Sequence, residues 1–150
     1  MYLEMDQWSD AYTQILHDCR SYHNGSVLLL CHPDADAVAA ARIWAYLLRN
    51  DGVRYQLLPC RSWKQLQHFL PVMSGGDDET TTDATDADGE EDAMGTHSTT
   101  DVCAVILLNL GANKNLTRLG WWSKNRNHTT KVYVMDCRRP VHLANLYAES

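Results

Sequence analysis

At 150 residues the chain has room for one domain with a real core, and not comfortably for two. Its hydrophobic content of 45% suits a globular protein. No apolar run approaches the ~18 residues of a membrane-spanning helix, and residues 1–20 carry charge throughout, unlike a signal peptide. The formal charge of −6 is unevenly spread: residues 74–101 hold ten of the nineteen acids and no Lys or Arg, leaving nine acids against thirteen bases elsewhere. Most of the chain is mildly basic, and one segment is strongly acidic.

Trp8, Tyr12, Ile15 and Cys19 recur at helical spacing, which predicts an amphipathic helix over about 3–22, stopped at Asn24-Gly25. Residues 27–31 form a continuous apolar run, as expected of a strand covered on both faces in a parallel sheet. Residues 37–50 are rich in Ala, Leu and Arg without Pro or Gly and predict a helix, with Asp34 or Asp36 as its cap and Asn50-Asp51-Gly52 as its end. A second strand follows at 53–58. Ser62-Trp63-Lys64-Gln65 fits a capping box and opens a short helix ended by Pro71.

Residues 74–101, dominated by Asp, Glu, Thr and Gly, cannot bury enough apolar surface to offset their ordering entropy and predict a disordered acidic insert. Residues 102–108 read as a third buried strand, 113–122 as a short helix, 125–130 as a polar loop and 131–135 as a fourth strand. Alternating strands and helices without hairpin signals predict an α/β fold, a parallel sheet with helices on both faces. Ligands of such sheets lie at the carboxyl ends of the strands. Three of those ends read His32-Pro33-Asp34-Ala35-Asp36, Asn109-Leu110-Gly111-Ala112-Asn113 and Asp136-Cys137-Arg138-Arg139.

The five cysteines are scattered, with no Cys-x-x-Cys pair, and read as reduced intracellular thiols rather than a disulfide framework or zinc site. His17, His23, His68, His97, His128 and His142 show no ligand spacing. Asp34 and Asp36, with Asp136 on another strand end, are the acids that would suit a hard divalent metal such as Mg or Mn. An Asp opening a helix is also a favoured cap, so the pair alone leaves both roles open.

Leu30-Cys31-His32-Pro33-Asp34-Ala35-Asp36-Ala37 resembles the first motif of the DHH phosphoesterases, which include RecJ nucleases. Four segments in register resemble, more closely, the N-terminal region of the cell division control protein 45 family. They are residues 34–43; Tyr55 to Pro59 with Ser62, Trp63 and Leu66; residues 109–113; and residues 134–147, containing Asp136, Pro140 and Asn145. The resemblance implies a DHH-phosphoesterase-like N-terminal part, here residues 1–150 and read as a fragment of a longer chain. It also implies a nuclear, non-catalytic scaffold of the replicative helicase, acting in initiation and elongation of DNA replication. The implied partners are the MCM ring, the GINS complex and single-stranded DNA, with no membrane.

The chain departs from an active DHH site at several positions. Asn109 stands where active enzymes carry Asp, and Asp136-Cys137-Arg138 stands for Asp-His-His. Leu30 replaces the usual histidine, and His32 has a different offset. Asp34, Asp36 and Asp136 are then vestigial, with no metal, cofactor or catalytic residue expected. Arg138 and Arg139 are candidates to supply the positive charge a metal once did. Trp121, Trp122, Lys124, Arg126, Arg138 and Arg139 are candidate contacts for a partner or for DNA. The alternative function is a metal-dependent (Mn/Mg) RecJ-like nuclease or phosphoesterase.

Overall fold

The apolar runs at 27–31 and 102–108 become the two central strands of a four-stranded parallel sheet. In a computed structural model describing residues 5–21, 25–69, 102–116, 130–137 and 140–146, the strands are β1 (Ser26–Cys31), β2 (Arg54–Pro59), β3 (Val102–Leu108) and β4 (Lys131–Met135), in the order β2-β1-β3-β4. β1 and β3 each have a neighbour on both sides and are buried almost throughout. That is why they read as unbroken apolar runs. The edge strands β2 and β4 are only partly buried, and Leu57 and Val134 remain exposed on them.

Successive side chains of a strand face opposite sides of the sheet, and two cores follow. Val27, Leu29 and Cys31 of β1 join Ala104, Ile106 and Leu108 of β3 beneath α1 (Trp8–Ser21) and α2 (Ala35–Asn50). Leu28, Leu30, Val105 and Leu107 face the other way, toward Leu66 of α3 (Trp63–Phe69) and toward Leu110 and Leu116. The expected α/β architecture with helices on both faces is what forms. Each fully buried Leu or Ile contributes roughly 1.5–3 kcal/mol.

α2 meets the sheet through small residues, Ala37 and Ala41, and through Leu48. It ends as read from Asn50-Asp51-Gly52: Asp51 N donates to Leu47 O at 3.0 Å, and Gly52 adopts φ +67°, a conformation glycine takes without steric cost. At the start of α3, Ser62 Oγ accepts from Gln65 N at 3.2 Å. The Gln65 side chain reaches back to Arg61 N at 2.8 Å, one residue further than a strict capping box. A single helical turn, α4 (Leu143–Leu146), was not expected from the sequence. The acidic segment 74–101, and the expected helix at 113–122 beyond residue 116, lie outside the described residues. Among the described residues, no helix is long and apolar enough to cross a membrane.

α1 crosses the sheet over β3 and is tied down at several points. Tyr12 donates its hydroxyl hydrogen to Asp51, and its ring lies 5.7 Å from that of Trp44. Lys131 Nζ of β4 pairs with Asp18 Oδ2 at 2.8 Å. Burial alone would raise the Asp18 carboxyl, but hydrogen bonds from Lys131 and Gln14 outweigh it and the net shift is downward. Cys19 and Cys103 are joined as a disulfide, with Cα atoms 5.5 Å apart. This corrects the reading of all five cysteines as free thiols. The two residues are 84 apart in sequence, and only the packing of α1 across β3 brings them together. Cys31 and Cys60 are buried thiols, and Cys137 is exposed.

Gly25, between α1 and β1, is buried against the last turn of α1. A Cβ placed there would lie 2.4 Å from Cys19 O and 2.8 Å from Cys19 Cα. Both are backbone atoms that cannot rotate away. Gly25→Ala should therefore lower stability by about 1–3 kcal/mol in denaturant titration, and an unchanged midpoint would contradict this packing.

Candidate functional site

Cys31, Pro59, Leu108 and Met135 lie in register across the four strands. The residues that follow them therefore leave the sheet at a common edge. Because β3 sits between β1 and β4, Asn109 lies between the two expected acids, Asp34 after β1 and Asp136 after β4. Its backbone N donates to Met135 O at 2.8 Å, extending the β3–β4 pairing by one residue.

Asp34 is the N-cap of α2. Its Oδ1 accepts from Ala37 N at 2.8 Å and from Asn109 Nδ2 at 2.9 Å. Its Oδ2 lies 2.8 Å from His32 Nδ1. A carboxylate offers only acceptors, so the His32 proton sits on Nδ1 and is donated to Asp34. The Ala37 hydrogen bond is the strongest influence on the carboxyl. Partial burial works against it, Asn109 and His32 reinforce it, and the net pKa is about 2.

Asn109 is 8% exposed, the one buried polar side chain among the described residues. Its φ of +53° is left-handed, which Asn tolerates better than most residues. That backbone turns its amide toward both neighbouring strand ends. Nδ2 donates to Asp34, and Oδ1 receives Cys137 N at 3.4 Å. One side chain thus joins the ends of β1, β3 and β4.

This donor set does not fit a two-metal centre. Both oxygens of Asp34 already face N–H groups, the side-chain amide of Asn109 among them. Asp36 is exposed on the first turn of α2 and does not line the cleft beside Asn109. Among the described residues, no group of three or more His, Cys, Asp or Glu is placed to share a metal ion. Of the two acids offered as the cap of α2, Asp34 fills that position.

His32 joins the site although its motif offset differs from the family's. The legible signal was the His-Pro-Asp turn itself: Asp34 N donates to His32 O at 2.8 Å, which folds the two side chains together. Asn145 of α4 is a second such residue. Its Oδ1 accepts from Leu116 N at 3.0 Å and its Nδ2 donates to Lys114 O at 2.8 Å, holding the loop that follows Asn109. That loop borders a cleft of about 150 Å³ at the strand ends, lined by His32, Arg61, Trp63, Leu66, Asn109, Lys114 and Asp136 among others. Trp121, Trp122, Lys124, Arg126, Arg138 and Arg139 lie outside the described residues.

Two outcomes follow. Asn109→Gly loses the side-chain hydrogen bonds but keeps the left-handed backbone, whereas Asn109→Ala loses both. The alanine variant should be the less stable of the two by about 1 kcal/mol in chemical denaturation, reversing the usual order. Asp34 has a folded pKa of about 2 against an ordinary 3.8. Its contribution to stability is thus fully present above roughly pH 4 and is lost as pH falls through about 2. Asp34→Asn should flatten that acid limb of the stability profile, and an identical limb in the variant would refute the assignment.

The family model for CDC45 matches residues 27–150 of the chain. Protein TSD2 of Mycosarcoma maydis is 30% identical over 145 residues, covering 95% of this chain and 16% of that protein. The cell division control protein 45 homolog of Dictyostelium discoideum is 26% identical over 144 residues, covering 96% of this chain and 18% of its own length. The chain therefore spans less than a fifth of these relatives. In fold it is similar to the crystal structure of CDC45 from Entamoeba histolytica, with a TM-score of 0.73 and 16% identity over 98% of this chain and 24% of that one. With a family model covering the strands, the Asp34–Asn109 junction and Asn145, the chain belongs to the CDC45 family.

Proposed function

We propose that the chain acts in DNA replication as a non-catalytic scaffold of the replicative helicase, in the nucleus, with the MCM ring and the GINS complex as partners. Membership of the CDC45 family supports the replication role. The observation that carries the non-catalytic reading is the Asn109 side chain. Where a phosphoesterase centre needs an open carboxylate facing a metal, Asn109 presents an N–H to Asp34 at 2.9 Å. The strand ends are then joined by hydrogen bonds from N–H donors, and the geometry serves rigidity rather than water activation.

A rigid strand edge carrying Arg61, Trp63 and Lys114 around a shallow cleft is suited to docking. Arg and Trp are residue types that concentrate binding energy at interfaces. Trp121, Trp122, Lys124, Arg126, Arg138 and Arg139 remain our further candidates for partner or single-stranded DNA contact.

The competing metal-dependent nuclease is separated by one assay. Single-stranded DNA cleavage is measured with Mn and with Mg for the unmodified chain, Asp34→Ala and Asp36→Ala. We expect no metal-stimulated cleavage that distinguishes the three. Stimulated cleavage lost in both variants would overturn the scaffold reading. Co-precipitation with MCM and GINS subunits supplies the positive arm, and retention of neither would count equally against it.

A further inference from the structure

We propose that the Cys19–Cys103 bond is a redox-controlled staple that fixes α1 to the central strand β3 under oxidising conditions and releases it under reducing ones. The observation is the pair itself. Cys19 lies near the carboxyl end of α1 and Cys103 at the start of β3, both buried, with Cα atoms 5.5 Å apart. That separation lies in the commonest range for a disulfide, so the backbone already holds the two sulfurs for bonding. The inference rests on the nuclear setting proposed above. There glutathione and thioredoxin keep thiols reduced, and a disulfide is usually transient and redox-sensing.

The bond has a large lever. It closes a loop spanning 84 residues that contains β1, α2, β2 and α3. Closure of a loop this long lowers the unfolding equilibrium constant on the order of a thousandfold in the chain-entropy view. With the bond open, α1 is still held by its apolar face and by polar ties from Tyr12 to Asp51 and from Asp18 to Lys131. Helix ends fray, and Cys19 sits in the last turn, so a local opening exposes its sulfur without unfolding the sheet.

The exchange needs a low-molecular-weight disulfide of the glutathione class. The Cys19 thiolate attacks one sulfur of oxidised glutathione, forming a mixed disulfide and expelling one glutathione thiolate. The Cys103 thiolate then attacks the Cys19 sulfur and expels the second. Two electrons pass from the cysteine pair to the glutathione, and each departing thiolate takes up a proton from solvent. Reduction is the reverse. Cys31 and Cys60 do not compete well: both are buried, and burial pushes both thiols up, with the Asp34 charge adding to the effect at Cys31. The exposed competitor is Cys137.

Trypsin places the five cysteines on five separate peptides, which makes the test direct. The full chain is equilibrated across a series of reduced-to-oxidised glutathione ratios, quenched in acid, alkylated with N-ethylmaleimide in denaturant and mapped by mass spectrometry. Cys19 and Cys103 should lose labelling together and yield one cross-linked peptide, while Cys31 and Cys60 label at every ratio. Amide exchange across α1 should be slower in the oxidised form by at least tenfold. Cys19→Ser should abolish that difference, and Cys137→Ser should preserve it.

Alkylation of Cys19 and Cys103 at the most oxidising ratio overturns the bond. A cross-link that persists at the most reducing ratio, or α1 exchange that ignores the redox state, overturns the control. None of these results bears on MCM or GINS retention, so failure here is distinguishable from failure of the scaffold reading.

Discussion

The side-chain amide of Asn109 is the contact on which the strand-end architecture depends. The four parallel strands finish in register, and at β1, β3 and β4 each leaves a turn that would otherwise splay from its neighbours. Asn109 donates to the Asp34 carboxylate on one side and accepts from Cys137 N on the other. It does so from a buried position, where an unsatisfied amide would cost about 1–3 kcal/mol. Losing either partner strands a polar group in the core, so the three turns are conformationally coupled.

That coupling explains the chemistry of the site. In a metal-dependent centre the repulsion between carboxylates is offset by cations. Here the offset comes from three N–H donors converging on Asp34: Ala37 N, Asn109 Nδ2 and His32 Nδ1. They hold the carboxyl near pKa 2, ionised through the physiological range. The carboxylate is pinned as a helix cap and an anchor. Its two oxygens are occupied by hydrogen bonds that tie the strand ends together.

The same logic extends outward from Asn109. Asn145 holds the backbone carbonyls of the following loop, and His142 N donates to Ala112 O at 2.7 Å, so the segment after β4 packs back onto the segment after β3. The family-like motifs at 109–113 and 134–147 are therefore one structural unit. On the other side of the sheet α1 is fixed by an ion pair, a tyrosine hydroxyl and a disulfide, all reaching different strands or turns. The sheet edge is set by polar contacts, while the faces are set by burial.

Apolar patterning, composition and cap residues determined the four strands and the first three helices to within a few residues, because burial on two faces writes unbroken apolar runs and helices carry caps and lack breakers. They also determined that polar chemistry gathers at the carboxyl edge of a parallel sheet, and the four motifs in order marked the family. Only the tertiary structure decided which acid matters. Asp34 and Asp36 are equivalent as letters, but capping α2 commits the first, and the second is left exposed. Asn109 read as a lost ligand; its left-handed backbone and its place between β1 and β4 make it a connector. His32 and Asn145 stood inside legible motifs, but their contacts, like the Cys19–Cys103 pairing, depend on a turn or a packing angle that exists only once the strands are side by side.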